Sequence, residues 1–218
     1  MRMNNTVPKQ FISLKGKPIL MHTIEKFVSA IPDINIIVVL AKQLNDEWHT
    51  LCDKHNFKIP YQIIIGGDTR FHSVKHGLML VPNNCIVGVH DAARPLVSTQ
   101  TIINAYKIAE EKGNAVPAIP IDESMREVNG MRNKAVPRYK YVIIQTPQCF
   151  QSNNLKNAFL QDYNPSFTDD ASVVEAMGET INLIEGNKEN IKITTAEDLL
   201  IAETLFITHN LPTGQVGS

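Results

Sequence analysis

Apolar residues recur along most of this chain in two alternating patterns. After Pro18, a residue suited to the first turn of a helix, apolar side chains recur at helical spacing. These side chains are Leu20, Ile24, Phe27, Val28 and Ile31. The run from Ile34 to Leu40 is then almost entirely apolar, which predicts a buried strand.

The alternation continues through the middle of the chain. Apolar runs at 61–65 and 85–89 predict strands, and helical patterns lie near residues 43–55, 71–80 and 98–112. Strands that alternate with helices are typical of βαβ units. The pattern therefore predicts an α/β fold with a mostly parallel sheet.

The alternation breaks between Ile119 and Ile144. Two stretches, Glu123–Val128 and Lys134–Arg138, flank Asn129-Gly130, a dipeptide that supplies positive φ for a tight turn. We expect a protruding β-hairpin arm over about residues 120–142. Because a two-stranded hairpin is marginal in water by itself, we expect the arm to pack against a second subunit in a homodimer.

The last third returns to mixed elements. Helices are predicted near 152–162 and 169–177, strands near 181–184 and 190–193, and a final helix near 195–208. The segment Thr194–Asp198 offers hydroxyl caps and acids for the start of that helix. Residues 211–218 are polar and contain glycine, so we expect a disordered tail.

Composition narrows the class of protein. With 218 residues, 43% of them hydrophobic, the whole chain 1–218 is predicted to form a single domain. The formal net charge of -1 provides no overall field for nucleic acid or an anionic membrane, so an anion must be bound by a local cluster.

The cysteines and the apolar runs indicate the compartment. Cys52, Cys85 and Cys149 are widely spaced, which argues against a disulfide framework or a structural zinc site. No run approaches the roughly 18 apolar residues that span a bilayer. We expect a soluble, cytoplasmic protein.

The segment Val89–Pro95 is the strongest candidate for chemistry. It follows the predicted strand at 85–89 and contains Asp91 and Arg94. Because ligands bind at the carboxyl ends of strands in an open α/β sheet, both side chains are expected to face a ligand. An acid beside a base at this place suggests a site for a metal and a phosphate.

Five clusters together resemble one family. They are Pro8–Phe11, Gly66–Arg70 with Ser73, His90–Pro95, Gln145–Gln148 and Asn190–Thr194. In this order the clusters are similar to those of the 2-C-methyl-D-erythritol 4-phosphate cytidylyltransferases of isoprenoid biosynthesis, from Arg2 to about Phe206. The resemblance implies a Rossmann-like, three-layer nucleotidyltransferase fold. It also implies two ligands, CTP and a polyol phosphate, and the products CDP-alcohol and pyrophosphate.

The implied reaction brings two phosphates together, so cations and a divalent metal are needed to offset their repulsion. By resemblance, Arg2 and Lys9 would be catalytic, stabilising the pentacoordinate transition state and the departing pyrophosphate. The alternative for Lys9 is an ordinary exposed cation. Asp91 would help to hold Mg²⁺, which prefers oxygen ligands.

The resemblance also implies the contacts to CTP. They are Gly67, Asp68, Ser73, Asp91 and Ala92. The alternative for the first three is a glycine turn followed by Asp68 as a helix N-cap.

The contacts to the polyol phosphate are implied to be Arg94, Ser124, Arg138, Thr168 and Lys192. Arg94 is equally suited to pair with Asp91 as a structural partner. Arg138 follows Val136-Pro137, where the family usually has an acid, and Ser124 stands where a threonine is common. If the arm comes from a partner subunit, Arg138 serves the neighbour's site.

Two further residues carry an alternative or no assigned role. Thr168 has the alternative role of N-cap for the following helix. His90 is assigned no catalytic part, because such a histidine is more often structural.

The start of the sequence departs most from the family, which begins with an apolar strand and a glycine-rich loop that binds triphosphate. This sequence opens with Met1-Arg2-Met3, which corresponds to the end of that loop. A late start relative to the natural protein, a truncation and a variant with impaired CTP binding are the three alternatives. We favour a missing segment; without that loop we expect weaker triphosphate binding.

Three rival functions remain. A ribitol 5-phosphate cytidylyltransferase shares the fold and several motifs, but Ala93, Ser73 and Thr168 match the methylerythritol pattern better. A non-catalytic nucleotide-binding protein is disfavoured because the cations Arg2, Lys9, Arg138 and Lys192 are all present. An NAD-linked dehydrogenase lacks its Gly-x-Gly-x-x-Gly fingerprint.

Overall fold

A computed structural model describes residues 7–209 of the chain. Its α-helices are α1 (Ile19–Ala30), α2 (Asn45–Lys54), α3 (Arg70–Leu78), α4 (Thr99–Lys112), α5 (Ser152–Ala158), α6 (Asp170–Glu175) and α7 (Ala196–His209). Its strands are β1 (Ser13–Leu14), β2 (Lys17–Pro18), β3 (Ile37–Leu40), β4 (Gln62–Ile65), β5 (Ile86–Val89), β6 (Asn114–Pro120), β7 (Met125–Asn129), β8 (Arg132–Val136), β9 (Val142–Ile144), β10 (Gln148–Gln151) and β11 (Leu183–Glu185). The predicted elements before the break at Ile119 are therefore present, with ends shifted by a few residues.

The largest sheet has five strands, in the order β11-β6-β10-β5, with β9 also paired to β6. Strand β11 is parallel to β6, whereas β10 is antiparallel to both β6 and β5. The prediction of a mostly parallel sheet is therefore wrong for this part of the fold. The chain returns from β6 through the short strands β7 and β8, without the helical crossover that a parallel neighbour needs, and therefore runs antiparallel to β6.

Strands β9 and β10 both run antiparallel to β6 and are separated by residues 145–147. The register moves from Ala118 opposite Ile144 to Ala115 opposite Cys149, so the interruption contains extra residues. Such irregularities in a strand are frequent beside functional sites because they redirect side chains.

A second, parallel pair joins β3 and β4, with Val38 opposite Ile63. Within residues 7–209 these two strands form a sheet of their own. Their parallel pairing agrees with the βαβ unit that the sequence predicts around α2.

Helices cover both faces of the five-stranded sheet. Ala115 and Cys149 pack with Ala105 of α4 on one face. Their chain neighbours Val116 and Phe150 pack against α3, α5 and α6 on the other face. Because successive residues of a strand point to opposite faces, this arrangement builds two cores around the sheet and makes three layers.

The structure contains the predicted hairpin, with corrected bounds. Strands β7 and β8 pair antiparallel, and Asn129 lies opposite Arg132. The two turn residues are thus Gly130 and Met131 rather than Asn129 and Gly130, and Gly130 takes the positive φ, 57°.

The C-terminal part differs from the prediction in one element. Residues 190–193 form no strand, because the backbone N–H of Ile193 bonds the carbonyl of Ala93 in a loop instead of a strand partner. The cap of α7 is confirmed: the Thr195 hydroxyl accepts from the N–H of Asp198, whose carboxylate accepts from Thr194 and Thr195. The predicted disordered tail lies outside the described residues.

Within residues 7–209, every helix is too short or too polar to cross a membrane.

Candidate active site

Asp91 lies at the centre of a charged cluster where three strand ends meet. It follows the carboxyl end of β5, beside the start of antiparallel β10, and the segment after β11 brings in Lys192. The Asp91 Oδ2 lies 3.1 Å from Arg94 Nε and 3.1 Å from Lys192 Nζ. The sequence prediction that Asp91, Arg94 and Lys192 come together is therefore consistent with the geometry.

The surroundings of Asp91 favour its ionised form. Burial opposes the charge, but Lys192, Arg94 and the more distant Arg70 outweigh it and hold the pKa of the carboxyl below its ordinary value. Because the pKa of Asp91 is lower in the folded state than in the unfolded chain, its contacts with the two cations stabilise the fold at neutral pH. This stabilisation is lost as the pH falls through the folded-state pKa.

Arg94 has a structural role in addition to its place in the cluster. Its Nη1 donates to the carbonyl of Asn190 at 2.7 Å, and its Nε donates to Asp91. Its side chain is 13% exposed, while that of Lys192 is 46% exposed. Lys192 is thus the more accessible of the two cations for an incoming anion.

A second ion pair lies beside this cluster. Arg70, the first residue of α3, binds both carboxylate oxygens of Asp170, at 2.8 and 2.5 Å. The Asp170 carboxyl is fully buried, and burial raises its pKa while Arg70 opposes that effect. The neighbouring Asp169 accepts from Gln148 Nε2 at 2.7 Å, which ties this region to β10.

The glycine turn after β4 is closely packed. A Cβ built on Gly67 would lie 2.5 Å from the Cβ of His72, and one on Gly66 would lie 2.8 Å from the Ser73 hydroxyl. The Ser73 hydroxyl bonds the backbone of Gly67. Only glycine therefore fits this turn, which keeps the backbone open to a close approach.

Asp68 is exposed and is not the N-cap of α3. The cap is Thr69, whose hydroxyl accepts from the N–H of His72. The alternative role that the sequence suggested for Asp68 is therefore wrong, because Thr69 has the extended backbone that a cap requires.

Lys9 lies in a short 3₁₀ turn, Lys9–Phe11, and is exposed. Phe11 of the same turn packs in a cluster that Ala92 also contacts. The carbonyl of Ala92 accepts from Thr23 of α1 at 3.0 Å. These contacts place the turn and the 90–95 segment on neighbouring parts of the fold. Arg2 lies outside the described residues.

Ser124 and Arg138 flank the base of the hairpin and are exposed. Arg138 donates to the carbonyl of Asp122, whose carboxylate pairs with Lys188 at 2.6 Å. In the described part of the chain, hydrogen bonds and ion pairs do not join Ser124 or Arg138 to Asp91.

Thr168 is exposed and precedes the N-cap of α6. The cap is Asp169, which forms a reciprocal capping box with Ser172. The alternative role of Thr168 as N-cap is therefore wrong, and its hydroxyl is not used for capping.

Sequence reasoning missed several polar residues that build the site. Asp170 and Asn190 are fully buried, and Gln145 and Thr146 are nearly so. Gln145 Nε2 donates to the carbonyl of Asn187, and Asn190 Nδ2 donates to that of Thr146. Three of these residues, Gln145, Thr146 and Asn190, lie inside clusters on which the resemblance rests, so the available signal was a polar residue in a motif with no ligand assigned to it.

The residues at Asp91 fit a magnesium ion. Its Oδ2 takes the contacts of Arg94 and Lys192, which favour the ionised carboxylate that a hard cation prefers. The described residues contain no group of three or more His, Cys, Asp or Glu that could hold a metal. Mg²⁺ usually binds one or two carboxylates together with phosphate and water, so one carboxylate suffices here.

A three-layer α/β fold with a carboxylate among cations at its strand ends is typical of a nucleotidyltransferase. The family model described as 2-C-methyl-D-erythritol 4-phosphate cytidylyltransferase matches residues 1–208. The chain belongs to the 2-C-methyl-D-erythritol 4-phosphate cytidylyltransferase family and is a cytidylyltransferase.

Relatives with the same description are similar in sequence to this chain over almost its whole length. The one from Azobacteroides pseudotrichonymphae genomovar. CFP2 is 51% identical over 208 residues, which covers 94% of this chain and 93% of the relative. The one from Bacteroides thetaiotaomicron is 45% identical over 206 residues, which covers 94% of each.

Solved structures show the same fold. The Francisella tularensis 2-C-methyl-D-erythritol 4-phosphate cytidylyltransferase has a TM-score of 0.75 at 32% identity and covers 91% of this chain and 93% of its own. The Thermus thermophilus enzyme of that name has a TM-score of 0.72 at 28% identity and covers 91% and 93%.

Proposed function

We propose that this chain transfers CMP from CTP to 2-C-methyl-D-erythritol 4-phosphate, giving 4-diphosphocytidyl-2-C-methyl-D-erythritol and pyrophosphate, in non-mevalonate isoprenoid biosynthesis. The observation that carries the proposal is the convergence of Asp91, Arg94 and Lys192 at the strand ends of a chain in this family. The family match favours this substrate over ribitol 5-phosphate and favours an enzyme over a non-catalytic binding protein.

The reaction is an in-line displacement at the α-phosphorus of CTP. An oxygen of the substrate phosphate forms a new bond to this phosphorus, and the bond to the oxygen that bridges to the β-phosphate breaks. Pyrophosphate takes the electron pair of the broken bond, so no covalent enzyme intermediate is required. The protein has to position two anions and balance the charge that develops between them.

The chain's cations divide this task. Lys192, exposed beside Asp91, would meet the phosphate of the polyol, while Arg94 donates to Asp91 and to the carbonyl of Asn190. Lys9, together with Arg2, would neutralise the triphosphate and the departing pyrophosphate. Gly67, Asp68, Ser73 and Ala92 would bind the cytidine part of CTP.

Asp91 would hold Mg²⁺ through its carboxylate. A bound magnesium ion would supply positive charge against the triphosphate. The Arg94 and Lys192 contacts keep the carboxylate ionised and oriented for this role.

The hairpin and Thr168 would complete the polyol site. Ser124 and Arg138 would act from the hairpin, and Thr168 would offer its uncommitted hydroxyl. We also propose a homodimer in which the hairpin packs on a second subunit and Arg138 serves the neighbour's site. The exposed apolar side chains of Val128 and Met131 on the hairpin support this assembly. The cytoplasmic location is proposed from the three free cysteines.

Pyrophosphate release tests the function. The chain is incubated with CTP and Mg²⁺ and with either 2-C-methyl-D-erythritol 4-phosphate or ribitol 5-phosphate. We expect release with the first polyol phosphate and a value of kcat/KM at least about 100-fold lower with the second. Turnover with ribitol 5-phosphate alone would overturn the choice of substrate.

The variant Gly67→Ala, which adds one methyl group, tests whether the glycine turn binds CTP. In Gly67→Ala the new Cβ meets His72 at 2.5 Å, so the turn must shift away from its position. We expect CTP affinity, measured by titration calorimetry with Mg²⁺, to fall about tenfold, roughly 1.4 kcal/mol.

Gly130→Ala is the matched control, because it adds the same methyl group on the hairpin, where no atom lies within 4 Å. Its positive φ gives a stability cost of about 1–2 kcal/mol, similar to that expected from crowding at Gly67. CTP affinity should be unchanged in the control. Equal affinities of the two variants would show that the turn does not bind CTP.

A further inference from the structure

A cavity of about 410 Å³ lies between helix α1 and the segment that joins α2 to β4. Its apolar walls are formed by Met21, Phe57, Ile59 and Pro60. Met21 is fully buried, and Phe57 and Ile59 pack against the same core cluster from partly buried positions. The volume is within the range of pockets that bind small molecules, roughly 300–1,000 Å³.

The chain forms this cavity because it turns back sharply after α2 ends at Lys54. Asn56 takes the left-handed conformation, with φ of 48°, which asparagine adopts more readily than most residues. The N–H of Phe57 then bonds the carbonyl of Cys52 at 2.9 Å, so the chain folds back against the end of the helix. Partly buried and exposed side chains alternate over residues 57–61, which directs Phe57 and Ile59 inward and places Lys58 at the rim.

The polar groups around the cavity carry one unbalanced positive charge. Lys17 Nζ contacts both carboxylate oxygens of Glu25, at 2.7 and 2.9 Å, so these two charges balance each other. Among residues 7–209, the ion pairs do not include Lys58. His55 and Asn56 add a ring N–H and a side-chain amide, which can donate to an anion.

The cavity lies on the face of α1 that is turned away from the Asp91 loop. Met21 and Glu25 line the cavity, whereas Thr23, two positions from each, donates to the carbonyl of Ala92. Two positions on an α-helix correspond to a rotation of about 200°, so Thr23 and the cavity residues point in nearly opposite directions. The cavity is therefore separate from the site proposed for CTP and the polyol phosphate.

We propose that this cavity binds a small amphipathic monoanion, a carboxylate on a short aliphatic chain. The aliphatic chain packs against Met21, Phe57 and Ile59, and the carboxylate pairs with Lys58. A monoanion fits better than a phosphate dianion, because Lys58 is the unbalanced cation and Glu25 would repel the second charge. Occupation of the cavity requires no turnover, so this binding site and the proposed transfer reaction can fail separately.

Trp48 is placed to report occupation of the cavity. It is the only tryptophan of the chain and is fully buried. Its ring contacts that of Phe57 edge-on, with 5.9 Å between the ring centroids. Because Phe57 lines the cavity, a ligand that contacts Phe57 changes the surroundings of the indole one residue away.

The probes are octanoate, octan-1-ol and acetate at pH 7, which separate the charge from the aliphatic chain. Octanoate should change the fluorescence of Trp48 saturably, with a Kd of about 1 mM or below. Octan-1-ol, which lacks the charge, and acetate, which lacks the chain, should each bind at least about threefold more weakly than octanoate.

The variant Lys58→Glu tests where the carboxylate binds. Reversal of the charge replaces an attraction by a repulsion, so the affinity for octanoate should fall about tenfold. Lys112→Glu, the same change on the last residue of α4, is the control and should bind octanoate like the wild type. Both lysines are exposed, so both variants are expected to keep the fold.

Methionine methyl NMR locates the ligand without any variant. Octanoate should shift the methyl signal of Met21 and leave that of Met131, exposed on the hairpin, unchanged. A shift at Met131 alone, no saturable response to octanoate, or equal affinity for octan-1-ol and octanoate would overturn the site. Equal affinities of Lys58→Glu and Lys112→Glu would also overturn it. The expected octanoate response in a chain that releases no pyrophosphate would instead reject only the proposed function.

Discussion

Asp91→Asn should lower kcat for pyrophosphate release by about 100-fold or more, because it removes the one negative charge among Arg94 and Lys192. The amide keeps the size of the side chain and an oxygen that can accept from Arg94. What it loses is the charge that would hold Mg²⁺ and balance Lys192. Steady-state kinetics over a range of Mg²⁺ concentrations measures the effect, and the apparent affinity for Mg²⁺ should fall as well.

Asp162→Asn is the matched control for this prediction. Asp162 is exposed and lies after α5, outside the cluster around Asp91. The same loss of one negative charge there should leave kcat and the Mg²⁺ dependence unchanged. Thermal unfolding of both variants separates loss of chemistry from loss of fold. A folded Asp91→Asn variant with wild-type kcat would remove Asp91 from the mechanism.

Arg70→Met should lower the free energy of unfolding by about 3 kcal/mol, because it leaves the Asp170 carboxyl buried without its cation. The estimate is at the low end for a buried pair because the Arg70 side chain is 38% exposed. Urea unfolding at pH 7 measures this loss. Arg132→Met on the exposed hairpin is the control, with an expected change within about 0.5 kcal/mol.

The pH dependence identifies the cause of this instability. In Arg70→Met, burial raises the pKa of Asp170 with no guanidinium to oppose it, so the folded state keeps a proton that the unfolded chain releases. The variant should therefore be most stable below the ordinary pKa of the carboxyl and lose stability as pH rises toward the raised value.

The double variant Arg70→Met/Asp170→Asn completes the cycle. It removes both charges of the Arg70–Asp170 pair, so it should be more stable at pH 7 than Arg70→Met alone. If Arg70→Met were as stable as Arg132→Met at pH 7, the buried pair would contribute nothing to the fold.

For the part of the chain before the break at Ile119, most helices and strands could be predicted from the sequence, because helical spacing and apolar runs are local signals. Helices α1 and α4 and strands β4 and β5 are close to their predicted ranges. Strand β6, which begins before the break and ends just after it, was not predicted, and neither were β9 and β10, which follow the hairpin. The pairing of these strands depends on contacts between distant segments. The spacing of apolar residues along the chain carries no information about such contacts.

The candidate site was predictable to a similar extent. The order of the motifs identified Asp91, Arg94 and Lys192 as candidate site residues. In the structure, Arg94 and Lys192 each contact Asp91. The alternative cap roles considered for Asp68 and Thr168 each fall one residue before the true cap, Thr69 for α3 and Asp169 for α6. The choice of cap depends on which residue has the extended backbone at the helix entry, and neighbouring polar residues look equivalent in a sequence.

The sequence by itself determined the α/β class, the family and the acids and bases that the chemistry needs, because those follow from local patterns and short motifs. Only the tertiary structure decided that Arg70 meets Asp170, 100 positions away, and that the Thr146 hydroxyl accepts from the backbone N–H of Asp91. Such pairs form because buried polar groups must find partners wherever the folded chain brings them, and their distance along the sequence carries no signal of that meeting.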